Sequence, residues 1–367
     1  FATAGADPST SLGMTAGVSV LERSESILLA AARRYPLRML RWHYRSRYPE
    51  LIAFSNQEFY GNGLVLFPHP GTEREGDGIN FHAVDGALYT TSLNPREAEA
   101  IVEAVRRHAK EQPERTLMVV TMNQPQRELV DTLVQNAEKD DPALAAFRER
   151  HQNGLEPFAV KNLENVQGDE RDVIVVGVTY GPDERGIVAQ HFGPINATGG
   201  ERRLNVLFTR AKFRLDVFCS FEPTALRITE QSPRGLCVLR DYLRFAKEKN
   251  LATGRFTARE PESDFEVEVA RSLRTFGYDV HAQVGVAGYH LDLAVVDPEH
   301  PGRYLLAIEC DGATYHSAKS ARDRDRLRQE VLERLGWQVH RIWSTDWFRD
   351  PQGEASRVVA RVEAARG

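Results

Sequence analysis

"LLAIECDGATYHS", Leu305 to Ser317, begins as an apolar strand and ends in charge: Glu309, Asp311 and His316 follow four residues with no polar side chain. Strand side chains alternate between faces, so Glu309 and Asp311 share one side while Ile308 and Cys310 share the other. Upstream, "HLDLAVV" (290–296) sets Asp292 out of phase with Leu291 and Leu293, and the turn-rich "VDPEHPGR" (296–303) joins the two runs. So short a connection predicts an antiparallel hairpin that brings Asp292 near Glu309. Two carboxylates about 5 Å apart repel by roughly 3 kcal/mol at an effective dielectric of about 20. A cation relieves that repulsion, and oxygen ligands with few supporting side chains favour Mg²⁺ or Mn²⁺ over Zn²⁺.

Working outward, the flanking pattern predicts a compact α+β unit over 263–367: a helix at 264–276, strands in "VHAQV", "HLDLAVV" and "YLLAIEC", a charged helix at 320–335, and a strand in "WQVHRIW". Ser263 and Glu266 form an S-x-x-E pattern, so Glu266 reads as readily as a helix-start device as a site residue. Arg322, Arg324, Arg326 and Arg328 interleave with Asp323 and Asp325. Such a run reads as a solvated, self-paired face, with phosphate contact by Arg322 or Arg326 as the rival reading. Trp343 and Trp347 read as core or rim packing.

The preceding residues alternate differently. "TLMVVT" (116–121), "DVIVVGVTY" (172–180) and "LDVFCSF" (215–221) are short, β-branched and apolar, as buried strands of a parallel sheet are. Helical segments at 124–137 and 202–213 separate them, and strand–helix alternation predicts an α/β layer fold. In "TSLNPREAEAIVEAVRRHAKEQ" (91–112), Asn94 is the expected cap, Pro95 suits the first turn, and Glu97 completes a capping box. Tyr44 reads as a core aromatic. The expected organisation is a lead-in loop and helix (1–34), an α/β domain (35–252), a polar, Pro-containing linker (253–262) and the α+β unit (263–367).

Composition sets bounds on function. A chain of 367 residues favours two domains. A formal charge of −5 argues against a broadly basic surface but leaves room for a local nucleic-acid groove. No run of 18 apolar residues exists and no secretory signal opens the chain, so no membrane partner is expected. Cys219, Cys237 and Cys310 lack metal-ligand spacing and suit a reducing, cytoplasmic setting. The chain opens on Phe1 and reads as a fragment or a processed product.

Three segments carry a family resemblance: "HYRSRYPELIAFSNQEFY" (43–60), "VQGDERDVIVV" (166–176) and "RRLNVLFTRAK" (202–212). Together they resemble the second RecA-like domain of superfamily 1 helicases, in the branch of the nonsense-mediated-decay helicase. The resemblance implies ATP as cofactor, with Arg45 and Arg210 as the two arginines at its γ-phosphate. Arginine suits that task because its guanidinium is planar, forked and always charged. It further implies close backbone approach at Gly168, ribose contact at Glu170, and a place for Arg203 on the nucleotide side. Gln167 would couple nucleotide to nucleic acid, and Thr121, Asn123 and Lys161 would contact the nucleic-acid backbone. No G-x-x-x-x-G-K-[ST] loop occurs in the chain. The first wall of the ATP cleft is therefore expected from an N-terminal helicase half preceding Phe1, and this chain alone is not expected to hydrolyse ATP efficiently.

The C-terminal unit resembles the PD-(D/E)xK nuclease fold. "IECDGATYH" is similar to the very-short-patch-repair endonucleases, and the whole unit to the restriction-endonuclease-like domain fused to large bacterial superfamily 1 helicases. The resemblance implies DNA cleavage with Mg²⁺ or Mn²⁺, held by Asp292, Glu309 and Asp311, with Glu266 on the first helix and His316 as general acid or base. It also implies a setting in bacterial phage defence, with other defence-system proteins as partners. Asp311 departs from the pattern: many such nucleases carry a lysine there, and the very-short-patch-repair family a histidine. That departure keeps a second reading open, in which the domain is catalytically inactive and grips DNA or a partner for the helicase.

Overall fold

The computed structural model describes residues 27–36, 38–70, 76–249, 260–286, 289–299, 303–312 and 319–366. The chain divides into two units, Phe1–Arg41 and Trp42–Gly367. In the first, the described part contains helix α1 (Ile27–Ala32). The expected lead-in at 1–20, most of the 253–262 linker and His316 lie outside the described residues.

The second unit opens on two short strands, β1 (Trp42–His43) and β2 (Val65–Leu66), paired in parallel with helix α2 (Glu50–Tyr60) between them in the chain. A five-stranded, wholly parallel sheet follows: β3 (Gly78–Ala83), β4 (Leu117–Thr121), β5 (Ala159–Asn162), β6 (Arg171–Gly177) and β7 (Ala211–Cys219), in the order β3-β7-β6-β4-β5. The period of two sorts its residues. Met118, Val120, Ile174 and Val176 face a core with Phe54, Phe208 and Tyr242. Leu117, Val119, Val173 and Val175 face the opposite core with Ile101, Val105 and Phe147. Both faces are covered by helices: α3 (Pro95–Glu111), α4 (Gln124–Asp140) and α5 (Pro142–Gln152) on one side, α2, α6 (Gly200–Phe208) and α7 (Arg234–Glu248) on the other. Burial on both faces is why these strands read as continuous apolar runs.

Helix α3 begins as its sequence suggests: Asn94 accepts the Glu97 N–H at 3.1 Å. Glu97 does not complete a capping box. The Asn94 N–H goes to Gln126 Oε1 (2.8 Å), while buried Glu97 accepts the Thr179 N–H through Oε1 (2.7 Å). The helix expected over 202–213 stops at Phe208, because "AKFRLDVFC" pairs with β3 and β6 as strand β7.

A separate four-stranded sheet forms from β8 (Val280–Val286), β9 (Tyr289–Val296), β10 (Tyr304–Asp311) and β11 (Val339–Trp343), ordered β11-β10-β9-β8. β9 and β10 make the expected antiparallel hairpin, and β11 runs parallel to β10. Helices α8 (Asp264–Thr275), α10 (Ser344–Arg349) and α11 (Pro351–Arg366) cover one face through Leu273, Trp347 and Val358. Helix α9 (Lys319–Arg334) covers the other, where Leu332, Leu335 and Trp337 pack. Trp347 is core, and Trp343 sits at the rim with 37% of its surface exposed.

The two sheets are tied together by residues just after β2. Phe67 is buried in the core of the second sheet, 4.7 Å from the Tyr289 ring. Trp337 Nε1 donates to Pro68 O (2.9 Å), and the Tyr304 N–H donates to Pro70 O (2.6 Å). Among the described residues no helix is long and apolar enough to cross a membrane.

Candidate functional site

The hairpin delivers Asp292 and Glu309 to one cavity of about 350 Å³, lined also by Gln283, Asp311, Arg328 and Arg341. Asp292 Oδ2 accepts the Cys310 N–H at 2.7 Å, which locks the carboxylate against β10. Burial first, then the charge of Glu309, raises the Asp292 carboxyl above its ordinary value. Glu309 is also raised by burial, with Arg328 and Arg341 opposing the shift. Tyr289 Oη donates to Glu309 Oε1 (3.3 Å), and the Arg328 guanidinium sits 4.6 Å from the Tyr289 ring centre.

Asp292 is not simply out of phase with Leu291 and Leu293, because those two leucines face different cores. Leu293 and Val295 pack in one core, but Leu291 packs in the other; on β8, Val280 and Ala282 part from Val284 in the same way. The switch falls at Asp292 and Gln283, where Gln283 adopts φ +50° within a strand. A local break in pleating re-aims side chains, and such breaks gather beside active sites. Gln283 is buried and donates from Nε2 to Glu266 Oε2 (2.9 Å). Sequence reasoning passed over Gln283; its place opposite Asp292 across a hairpin was the available signal.

Glu266 is a helix-start device here. Its Oε1 accepts the Ser263 hydroxyl (2.8 Å), its Oε2 accepts the Glu262 N–H (3.0 Å), and Ser263 caps the Glu266 N–H in return (3.2 Å). Its charge still reaches Asp292 and adds to that carboxyl's rise. Asp311 is drawn elsewhere: Arg341 Nη1 lies 2.8 Å from its Oδ2, an ion pair whose alignment falls short of a hydrogen bond. Among the described residues no three His, Cys, Asp or Glu side chains form a metal cage. A pair of carboxylates nevertheless suits a hard divalent ion, since Mg²⁺ is held by one or two carboxylates and keeps waters or phosphate oxygens for the rest. The arginine run on α9 divides. The Arg326 side chain is 81% exposed and pairs with Glu330, as a solvated face should, whereas Arg328 turns into the cavity. Of Arg322 only its place on α9 is described.

On the first sheet, Arg45 and Arg210 come together. Arg45 Nη1 donates to Thr209 O (3.3 Å), and Arg210 is anchored by Nε to Val206 O (2.8 Å) and by Nη1 to Asp169 O (3.3 Å). The two guanidiniums repel: after burial, the Arg45 charge is the next cause lowering the Arg210 pKa, and burial first, then both arginine charges, depress His43 to about 4. Two neighbouring cations of this kind suit a polyanionic ligand. Gly168 takes φ +89° with open space where a Cβ would project. Glu170 accepts Arg45 Nε at 2.7 Å, which holds its carboxyl below the ordinary value. Arg203 stands on different partners, Glu164 (4.0 Å) and Pro194 O (3.5 Å). Tyr44 is 63% exposed, not core, and lines a cleft of about 800 Å³ with Arg45, Glu170 and Arg334.

The expected nucleic-acid contacts fare unevenly. Gln167 is exposed beside Gly168. Thr121 is fully buried with its hydroxyl donated to Asn123 O (2.9 Å), so its side chain supports a turn and does not face a ligand. Asn123 caps α4 by accepting the Gln126 N–H (2.8 Å), and Lys161 pairs with Asp169 at 2.6 Å.

Comparisons with known proteins agree with this layout. The AAA_12 family model, described as an AAA domain, matches residues 18–222, and the REase_MTES_1575 model, restriction-endonuclease-like by name, matches 265–362. The uncharacterized ATP-dependent helicase MG140 of Mycoplasma genitalium is 29% identical over 88% of this chain, and its homolog in Mycoplasma pneumoniae 28% identical over 86%. The chain spans 29% of the length of each of these relatives. A solved C-terminal domain assigned to a DNA helicase candidate of Lactobacillus plantarum covers 51% of this chain and 94% of its own, at 14% identity and a TM-score of 0.27.

Proposed function

We propose that this chain, which belongs to the AAA_12 family of AAA domains, is the second motor domain of an ATP-dependent DNA helicase joined to a metal-dependent DNA nuclease. The observation that carries the nuclease reading is the Asp292–Glu309 pair, two carboxyls raised by burial in one cavity with arginines around them. Asp292 and Glu309 would hold the divalent ion. When bound, such an ion lowers the pKa of a water and offsets charge developing on a phosphodiester. Asp292 is oriented for this by the Cys310 N–H, and Glu309 by the Tyr289 hydroxyl.

The motor reading is supported by the neighbouring Arg45 and Arg210 beside Gly168 and Glu170. With no phosphate-binding loop in this chain, those arginines would act on ATP bound mainly by a separate first RecA-like half. The relatives named as ATP-dependent helicases are several-fold longer than the match, which leaves room for such a half.

One observation favours a second reading, that of an inactive grip for DNA or a partner protein: Asp311 is committed to Arg341, leaving two carboxylates for a metal. Calorimetric titration with Mn²⁺ separates the two. The nuclease reading expects binding by the parent chain and its loss in Asp292→Ala; a parent that takes up no Mn²⁺ contradicts it.

A further inference from the structure

We propose that Arg341 is the cation that faces the substrate phosphate in the C-terminal cavity, and that Asp311 is a positioning carboxylate that aims it. This rests on the nuclease reading of the same site. β10 and β11 run in parallel with Glu309 opposite Arg341, so the arginine stands beside the metal-binding strand. Glu309, Asp311 and Arg341 all line the cavity that contains Asp292. Arg341 is 23% exposed and Asp311 15%, so the pair is shielded yet open to the cavity.

The arrangement answers the oddity at the end of β10. A strand that ends in Glu-x-Asp brings a third negative charge to a site meant to receive a phosphodiester. Left alone, Asp311 would repel it. Arg341 cancels that charge from the adjacent strand. A guanidinium has five N–H donors in a fixed fork. One arm on Asp311 leaves others for the non-bridging oxygens of a phosphate, in the geometry that arginine offers and lysine does not. The work proposed for Arg341 is electrostatic positioning of the phosphate by a guanidinium fork, with no proton transfer. Arg328 is less suited to the task, since its guanidinium stacks on the Tyr289 ring.

The rival account is that Arg341 only neutralises the acidic cluster. In that case bound metal takes over the neutralisation, and loss of the arginine leaves cleavage intact once metal is supplied. The test uses the full chain, a labelled DNA duplex and saturating Mn²⁺. Arg341→Gln is expected to lower kcat by about 10²-fold or more, the scale of a lost charge-stabilising donor. Its Mn²⁺ affinity should be equal to or tighter than the parent's, which also shows that it folds. Arg341→Lys should recover part of the rate, and Asp311→Asn should lose about 10-fold. Cleavage by Arg341→Gln within about 3-fold of the parent, while Asp292→Ala is inactive, overturns the proposal and spares the nuclease reading. If the parent itself does not cut, the nuclease reading falls. The role of Arg341 then rests on duplex affinity in Ca²⁺: a loss of about 10-fold in Arg341→Gln upholds phosphate contact, and unchanged affinity overturns it.

Discussion

Arg45 Nε donates to Glu170 Oε2 at 2.7 Å, joining residues 125 positions apart, while Lys212 Nζ stands 3.5 Å from the other oxygen of the same carboxylate. Glu170 is therefore engaged as the anchor of Arg45, before any ribose is considered. A partly exposed pair of this kind adds little stability, so its value lies in aiming the guanidinium. In the longer protein, with both motor halves present, Arg45→Ala and Arg210→Ala should each lower kcat for ATP hydrolysis by about 10³-fold or more. Glu170→Ala should cost less, about 10-fold, because Arg45 keeps its charge but loses its aim. Steady-state ATPase assays on the three variants check this ordering; a larger loss from Glu170→Ala than from Arg45→Ala contradicts it.

Buried Glu97 makes stability depend on pH. Burial raises its carboxyl from 4.5 to about 8, against the Thr179 N–H that favours ionisation. Between those values the unfolded chain has released the proton and the folded chain retains it. The contribution of Glu97 to stability is therefore full below about pH 4.5 and is lost as pH rises toward 8. Glu97→Gln keeps an oxygen for the Thr179 N–H and removes the titration. Its melting temperature relative to the parent should rise steadily from pH 4.5 to pH 8. Parallel pH profiles for the two proteins would falsify this assignment.

The Asp77–Arg115 pair is shut inside the first sheet's domain. Arg115 Nη2 donates to Asp77 Oδ2 at 3.2 Å, Tyr48 Oη donates to the same oxygen at 2.8 Å, and both charged residues are buried. Removing one partner of a buried pair strands the other, at a cost of about 3–5 kcal/mol. Asp77→Ala should lose that much in urea unfolding, and a change below about 1 kcal/mol contradicts the burial of the pair.

Phe67 belongs by sequence to the first domain and by packing to the second sheet. Phe67→Ala should cost about 3–5 kcal/mol, as large aromatic deletions in cores do. Because the side chain fills the core beside Tyr289 and Trp337, the loss should be read by Trp337 fluorescence as well as by the main unfolding transition. An effect confined to the first domain contradicts this link.

Much of this architecture is legible in one dimension. The parallel strands announce themselves because burial on both faces demands unbroken β-branched runs, and the β9–β10 hairpin because its connection is short and turn-rich. Asn94 is readable as a cap because capping is local, whereas the cap at Asn123 shows only in the structure. What escapes is nonlocal. Glu97 has the spacing of a capping box, yet a strand end 82 residues away takes its carboxylate. Thr121 has a polar side chain at a strand end, yet the turn that follows consumes it. Arg341 looks like any strand arginine until β11 pairs with β10 and sets it beside Asp311. The Gln283 kink follows from φ alone, and hydrophobic alternation shows it only as a broken phase whose meaning needs the partner strand.

Asp292 and Glu309 are proposed to form a metal-dependent DNA-cleaving site. Cleavage of supercoiled and linear DNA by the full chain in Mg²⁺ or Mn²⁺ tests it most directly. The parent should cut in metal and stop in excess chelator, and Asp292→Asn and Glu309→Gln should each lose about 10³-fold or more while keeping the parent's melting temperature, in line with losses seen when groups that bind and orient the reacting species are removed. Equal cutting by both variants and the parent, or cutting that survives the chelator, contradicts the claim.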